Sequence, residues 1–139
     1  MRLVRAIANL FLNCFNATQE AAIQAFQLGK PKRGTGADSL FKVAFDYINT
    51  YGKDLHEPLG EYFIHGFGHQ VGLNVHNLND PAPLNKGMVF TLEPGIYIPE
   101  EKLGVRIEDM FYIDQDGKLV MLTKGLPRGL DEVEDAMSK

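Results

Sequence analysis

Between Gly60 and Asp109, glycine, histidine and glutamate recur among short apolar runs, and this stretch restricts the possible folds more than any other part of the chain. Its first segment reads I-H-G-F-G-H-Q-V-G-L-N-V-H, from Ile64 to His76. His65 and His69 stand four residues apart, the spacing of two ligands on one helix face, but Gly66 and Gly68 between them each cost about 1 kcal/mol in a helix interior. A helical histidine pair is therefore excluded. In an extended chain rising ~3.3 Å per residue the two rings share a face but lie about 13 Å apart, unless the glycines bend the backbone. One of the two is then a metal ligand at most, and the other faces a bound molecule.

Two later segments supply carboxylates. Glu93 lies in T-L-E-P-G-I-Y-I, where Pro94 biases it toward extended backbone, as for a side chain presented from a strand end. Arg106 and Glu108 lie in G-V-R-I-E-D and share one side of a strand with Met110 and Tyr112, while Val105, Ile107, Phe111 and Ile113 fill the core-facing side. Asp109 falls on the opposite face from Glu108. As a plain exposed ion pair Arg106 and Glu108 would contribute only ~0–1 kcal/mol, which gives no account of the surrounding pattern. Imidazole with carboxylate suits zinc, manganese, cobalt or iron, whereas structural zinc usually takes several cysteines and this chain has only Cys14. The donor types therefore point to a catalytic metal site.

Taken in order, H-G-F-G-H-Q-V-G-L-N-V-H, G-M-V-F-T-L-E-P-G-I-Y-I and G-V-R-I-E-D-M resemble the second half of the pita-bread metallopeptidases, in the aminopeptidase P and prolidase branch that cleaves Xaa-Pro bonds. Methionine aminopeptidases share the Gly-His, the later histidine and the Glu-Pro pair. They usually end in a Glu-His-Thr type motif where this chain has Arg106-Ile107-Glu108-Asp109. The resemblance implies that His69, Glu93 and Glu108 are metal ligands, with Glu108 bridging two ions. It also implies that His65, His76 and Arg106 bind substrate and stabilise the reacting centre. Divalent ions follow, manganese first, with zinc, cobalt or iron as alternatives, and so does a peptide substrate with proline at its second position.

The family's dinuclear site also takes two aspartates from a hairpin in its first half and a further histidine upstream. Asp38, Asp46 and Asp54, the aspartates that precede His65, lie in or beside helical sequence instead. Residues 1–139 are accordingly expected to form a single domain equivalent to the C-terminal half of the catalytic domain, poorly active alone. Self-association, or association with a separately encoded N-terminal half, is expected to complete it. An expectation of a different class is a catalytically inactive pita-bread-like module that binds peptide or protein; the intact second-half ligand set favours the enzyme. Asn77 stands where relatives often carry an acid.

The rest of the chain reads as ordinary core. Leu3, Ile7, Leu10, Phe11, Cys14, Phe15, Ile23 and Phe26 recur at helical spacing from Arg2 to Leu28, in one helix that is continuous or broken near Asn16, with Gly29 and Pro31 as stop signals. Lys30 to Gly36 is a basic loop with no assigned role. A second helix runs from about Ala37 to Tyr51, with Asp38 or Ser39 available as its cap and Gly52 ending it. Strands are expected at Tyr62–His65, Val71–His76, Met88–Glu93, Gly95–Ile98, Gly104–Asp114 and Lys118–Thr123, with an Asp-Gly hairpin turn at 115–118 and a short acidic helix at Leu130–Met137. Helices first and strands later make an α+β fold, with two N-terminal helices packed on a largely antiparallel sheet. A net charge of -4 gives no electrostatic reason to expect nucleic acid or an anionic membrane as partner. The N-terminal apolar run is interrupted by Asn9, Asn13 and Asn16 and reads as neither a signal peptide nor a span, and a lone cysteine suits the cytoplasm.

Overall fold

The computed structural model describes residues 2–27, 39–52, 58–76 and 84–138. The Gly29 stop, the loop at 30–36, the helix start at 37–38, Asp54 and Asn77 lie outside the described residues. Helix α1 (Arg2–Gln27) runs without interruption past Asn16, whose side chain is exposed. Its buried stripe of Ile7, Leu10, Phe11, Cys14, Phe15 and Ala22 follows the helical period. Thr18, fully buried on the same stripe, donates its hydroxyl to the Cys14 carbonyl at 2.8 Å, so no polar atom is orphaned. Helix α2 (Leu40–Tyr51) starts at Ser39, whose Oγ accepts the Lys42 N–H at 3.1 Å, and ends where the Gly52 N–H donates to the Ile48 carbonyl at 2.8 Å. It buries Leu40, Ala44 and Ile48.

Among the described residues five strands follow, all antiparallel, in two sheets rather than one. Strands β1 (Val89–Leu92), β4 (Asp109–Ile113) and β5 (Leu119–Met121) form a sheet in the order β1-β4-β5, while β2 (Gly95–Ile98) and β3 (Leu103–Arg106) form a separate pair. Helix α1 rests on the three-stranded sheet through aromatic rings: Phe15 stacks on Phe111 at 5.8 Å, and Phe111 on Phe90 at 6.0 Å. The β4–β5 turn carries Gly117 at φ 81°, and Asp114 Oδ1 accepts the N–H groups of Asp116 and Lys118 at 2.9 and 2.7 Å, as the Asp-Gly signal predicts. Helix α3 (Leu130–Met137) ends the chain. Among the described residues no helix is long and apolar enough to cross a membrane.

Three expected strands are corrected. Residues from Leu59 to Tyr62 form a 3-10 turn and 63–65 follow as loop, because Gly60 is pinned to α2: its N–H donates to Asn49 Oδ1 at 2.8 Å. The segment Val71–His76 is a series of bends with exposed side chains from Gly72 onward. The ladder lies just before it, where the Thr91 and Glu93 N–H groups donate to His69 and Phe67, and Val71 donates to Val89, each at 2.9 Å. The long strand Gly104–Asp114 is divided at Ile107–Glu108. Its two parts keep the expected parity, with Asp109, Phe111 and Ile113 buried and Arg106 and Glu108 exposed.

That division has a local cause. Leu92 pairs with Asp109 in one sheet and Gly95 with Arg106 in the other, so Glu93-Pro94 faces Ile107-Glu108 where both chains change sheets. Proline has no N–H to continue a ladder, and Pro94 contributes only its carbonyl, which accepts the Ile107 N–H at 3.3 Å. Both glutamates therefore emerge from the same break in the pairing.

Candidate metal centre

His69 is brought to this break by the edge ladder along β1. Its own N–H donates to Thr91 Oγ1 at 3.1 Å, and the residue is buried, 5% exposed. Gly68, immediately before it, lies so close to β1 that a Cβ would overlap the Thr91 carbonyl oxygen, whereas Gly66 has open space around it. Of the two glycines that exclude a helix, one is thus required by close backbone approach.

His69, Glu93 and Glu108 each offer a donor atom within 4.8 Å of the others. His69 Nε2 is 3.8 Å from Glu93 Oε1 and 3.7 Å from Glu108 Oε1. Ligands of one ion at ~2.0–2.2 Å stand somewhat closer together than this, so small side-chain movements suffice to close the shell. The chemistry of the set also fits a cation. His69 Nδ1 lies 3.1 Å from the Gln70 carbonyl, which only accepts, so Nδ1 carries a proton and Nε2 is the ring atom turned toward the two carboxylates. Such a donor set is held together by a metal ion, or by a proton on Nε2, between its members. Thr91, buried beneath, has its hydroxyl 3.5 Å from Glu93 Oε1 and so orients both the histidine backbone and the carboxylate.

The other residues anticipated from sequence adjoin this set. The exposed His76 ring lies 4.3 Å from the His69 ring, tilted by 54°. Arg106 Nη2 is 3.7 Å from Glu108 Oε2. His65 is reached indirectly: its Nδ1 is 2.8 Å from the Gly66 carbonyl, which leaves Nε2 to accept from the Tyr97 hydroxyl at 3.1 Å. The Tyr97 hydroxyl, more than the neighbouring Glu108, also holds the Arg106 guanidinium more firmly protonated than usual. The sequence reading missed Tyr97. Its sign was two glycines in G-I-Y-I and G-V-R: a Cβ on Gly95 would stand 2.6 Å from His65 Nε2 and 2.7 Å from the Tyr97 oxygen, and Gly104 pairs directly with Tyr97. Contact runs unbroken from His65 through Tyr97, Arg106, Glu108 and His69 to His76. Asp109 is turned away, as strand parity predicts.

Comparison with known proteins finds metallopeptidases. The model of Metallopeptidase family M24 matches residues 7–115. The chain is 44% identical over 104 residues to the Xaa-Pro dipeptidase of Pyrococcus furiosus, covering 70% of this chain and 27% of that protein. The solved X-Pro aminopeptidase of Thermotoga maritima superposes with a TM-score of 0.64 at 32% identity, over 91% of this chain and 32% of that one. The prolidase of Pyrococcus horikoshii gives 0.61 at 35% identity, over 88% of this chain and 33% of that one. The chain spans about a third or less of the length of these relatives. Its helices and antiparallel strands are those of the pita-bread structures in this group.

Proposed function

The chain belongs to metallopeptidase family M24, and from that premise we propose that it serves the hydrolysis of peptide bonds preceding proline, as an Xaa-Pro aminopeptidase or dipeptidase. The observation that carries this reading is the convergence of His69 Nε2 with the Glu93 and Glu108 carboxylates at the break between the two sheets. These three residues would hold a divalent ion, manganese first, with zinc, cobalt and iron as alternatives of suitable ligand preference. Such an ion supplies Lewis acidity toward a peptide carbonyl and toward water. The protein's own groups supply the rest. A proline nitrogen in a peptide bond carries no N–H, so the substrate must be recognised by shape and through its carbonyls. His65, His76 and Arg106 would surround those carbonyls, with His76 and Arg106 as the donors, and the developing oxyanion is the place where a preorganised donor counts most. Tyr97 keeps His65 and Arg106 in mutual register.

Residues 1–139 form, in this reading, a single domain equivalent to the second half of the catalytic domain of longer relatives, located in the cytoplasm. Among the described residues the cluster has three donors, so a full dinuclear site would need ligands from elsewhere. The isolated chain is then expected to bind one divalent ion and to release little or no N-terminal residue from Xaa-Pro peptides. The same three-donor observation favours a second reading, a module that binds peptide without turnover. Calorimetric titration with manganese, alongside an Xaa-Pro peptide assay, tests both. Binding of one ion that His69→Ala removes supports the assignment of ligands. Metal binding untouched by His69→Ala, or robust turnover in its absence, refutes it.

A further inference from the structure

Glu108 stands in the gap between β3 and β4, where the ladder supplies it with no partner strand residue. What holds it must act through its neighbours. On one side Ile107 has the single backbone bond to Pro94. On the other, Asp109 begins β4, and its carboxylate, 2% exposed, projects to the face opposite Glu108. There it meets residues from 122–128. The Thr123 hydroxyl donates to Asp109 Oδ1 and at the same time accepts the Met110 N–H at 3.2 Å. Arg128 Nε stands 3.1 Å from both carboxylate oxygens, with its hydrogen aligned on Oδ1. The buried Oδ2 receives no hydrogen bond among the described residues. The charge on Asp109 is therefore compensated by Thr123 and Arg128 together.

The arginine is itself held. Glu132 Oε2 accepts the backbone N–H groups of Arg128 and Gly129 at 3.1 and 3.0 Å, and Arg5 of α1 pairs with Asp131 and Glu134 of α3 at 2.9 and 3.5 Å. The segment from Leu122 onward is thus a strap, anchored to α1 at its far end and passing beneath the first residues of β4. Thr123 and Arg128 lie outside the family-matched segment.

We propose that Asp109 is a positioning residue for Glu108: the strap, through Thr123 and Arg128, locks the start of β4 and so sets where the Glu108 carboxylate stands relative to His69 and Glu93. Metal donors must be held within ~0.5 Å of their working geometry by groups behind them, and loss of such supports typically weakens metal binding about 10–100-fold. The proposal rests on the metal-ligand reading above. Its geometric content, however, is measurable without metal.

The experiment compares the whole chain with Thr123→Val, Thr123→Ser, Arg128→Ala and Arg5→Ala. Two quantities are read: manganese affinity by calorimetry, and backbone amide resonances of Glu108 and Glu93 in the metal-free protein. Thr123→Val and Arg128→Ala should weaken manganese binding about 10-fold and shift both resonances. Thr123→Ser, which keeps the hydroxyl, should behave as the parent does, and so should Arg5→Ala, which loosens only the far end. Since Val is nearly isosteric with Thr, that variant keeps the test valid should Arg128→Ala fail to fold. Parent-like affinity and unshifted resonances in a folded Thr123→Val protein would overturn the proposal. If the parent chain binds no manganese, the metal reading fails by itself, and the resonances alone decide: displacement of Glu108 supports the strap's role, and its absence refutes it.

Discussion

Gly68 is the residue on which the approach of His69 to β1 depends. Any side chain there meets the Thr91 carbonyl, and the edge ladder that carries His69 toward Glu93 would have to move outward. Gly68→Ala is expected to cost about 1–3 kcal/mol of stability, as overpacking does, and to weaken divalent-metal binding as well. Gly66→Ala, in open space one residue after His65, should stay within about 0.5 kcal/mol of the parent. Urea denaturation of the two variants distinguishes them; equal effects would show that the glycines serve flexibility rather than close approach. Cys14 illustrates the opposite kind of constraint. Burial pushes its thiol up to about 12, against a smaller lowering by the Thr18 hydroxyl, so at neutral pH it is an inert piece of core.

Among the elements, α3 is the one most exposed to pH. It buries no residue, and its first turn is closed by Glu132 accepting from Arg128 and Gly129. Those two backbone hydrogen bonds hold the Glu132 carboxyl below its ordinary value of 4.5. A depressed folded-state value means that the stabilisation is present above the unfolded value and is lost as pH falls through the folded one. The start of α3 should therefore fray below pH 4.5. Amide exchange at Arg128 and Gly129, corrected for intrinsic rate, should rise in that window in the parent, and should be high and insensitive to pH there in Glu132→Ala, which has no side-chain acceptor. Parent protection that persists well below the window would show that the cap is held by something other than the carboxylate. The same fraying would loosen the strap behind Asp109 from its C-terminal side.

At the scale of the molecule, large apolar side chains remain uncovered beside the candidate site. Ile64, next to His65, is 73% exposed, and Leu73 and Val75, on the run that leads to His76, are 105% and 71% exposed. Large apolar patches on soluble proteins usually mark an interface, and these three side chains are the candidates for one here. Self-association, or capture of a separately encoded first half, is the outcome expected from the half-domain reading. Light scattering at micromolar concentration should find a species larger than a monomer, and the double variant Leu73→Ser, Val75→Ser should reduce it. A parent chain that stays monomeric would remove self-association.

Sequence by itself determined whatever depends on neighbours a few residues away. The stripe of α1, a cap for α2 at Asp38 or Ser39, the Asp-Gly turn and the parity that sets Arg106 and Glu108 against Asp109 all follow from local periodicity and side-chain chemistry. That His69, Glu93 and Glu108 meet was legible only through the family resemblance, because spacing alone left open which of His65 and His69 joins the carboxylates. Tertiary structure decided the rest, since those outcomes turn on partners distant along the chain. Asn49 of α2 makes a turn of Leu59–Tyr62, and β1 takes residues 67–71 as its edge while leaving 72–76 unpaired. Pro94 lies across from Ile107, so that one apparent strand divides between two sheets. Tyr97 joins His65 to Arg106 only because β2 pairs with β3. Periodicity says which face a residue takes; only the pairing of distant segments says which residues meet there.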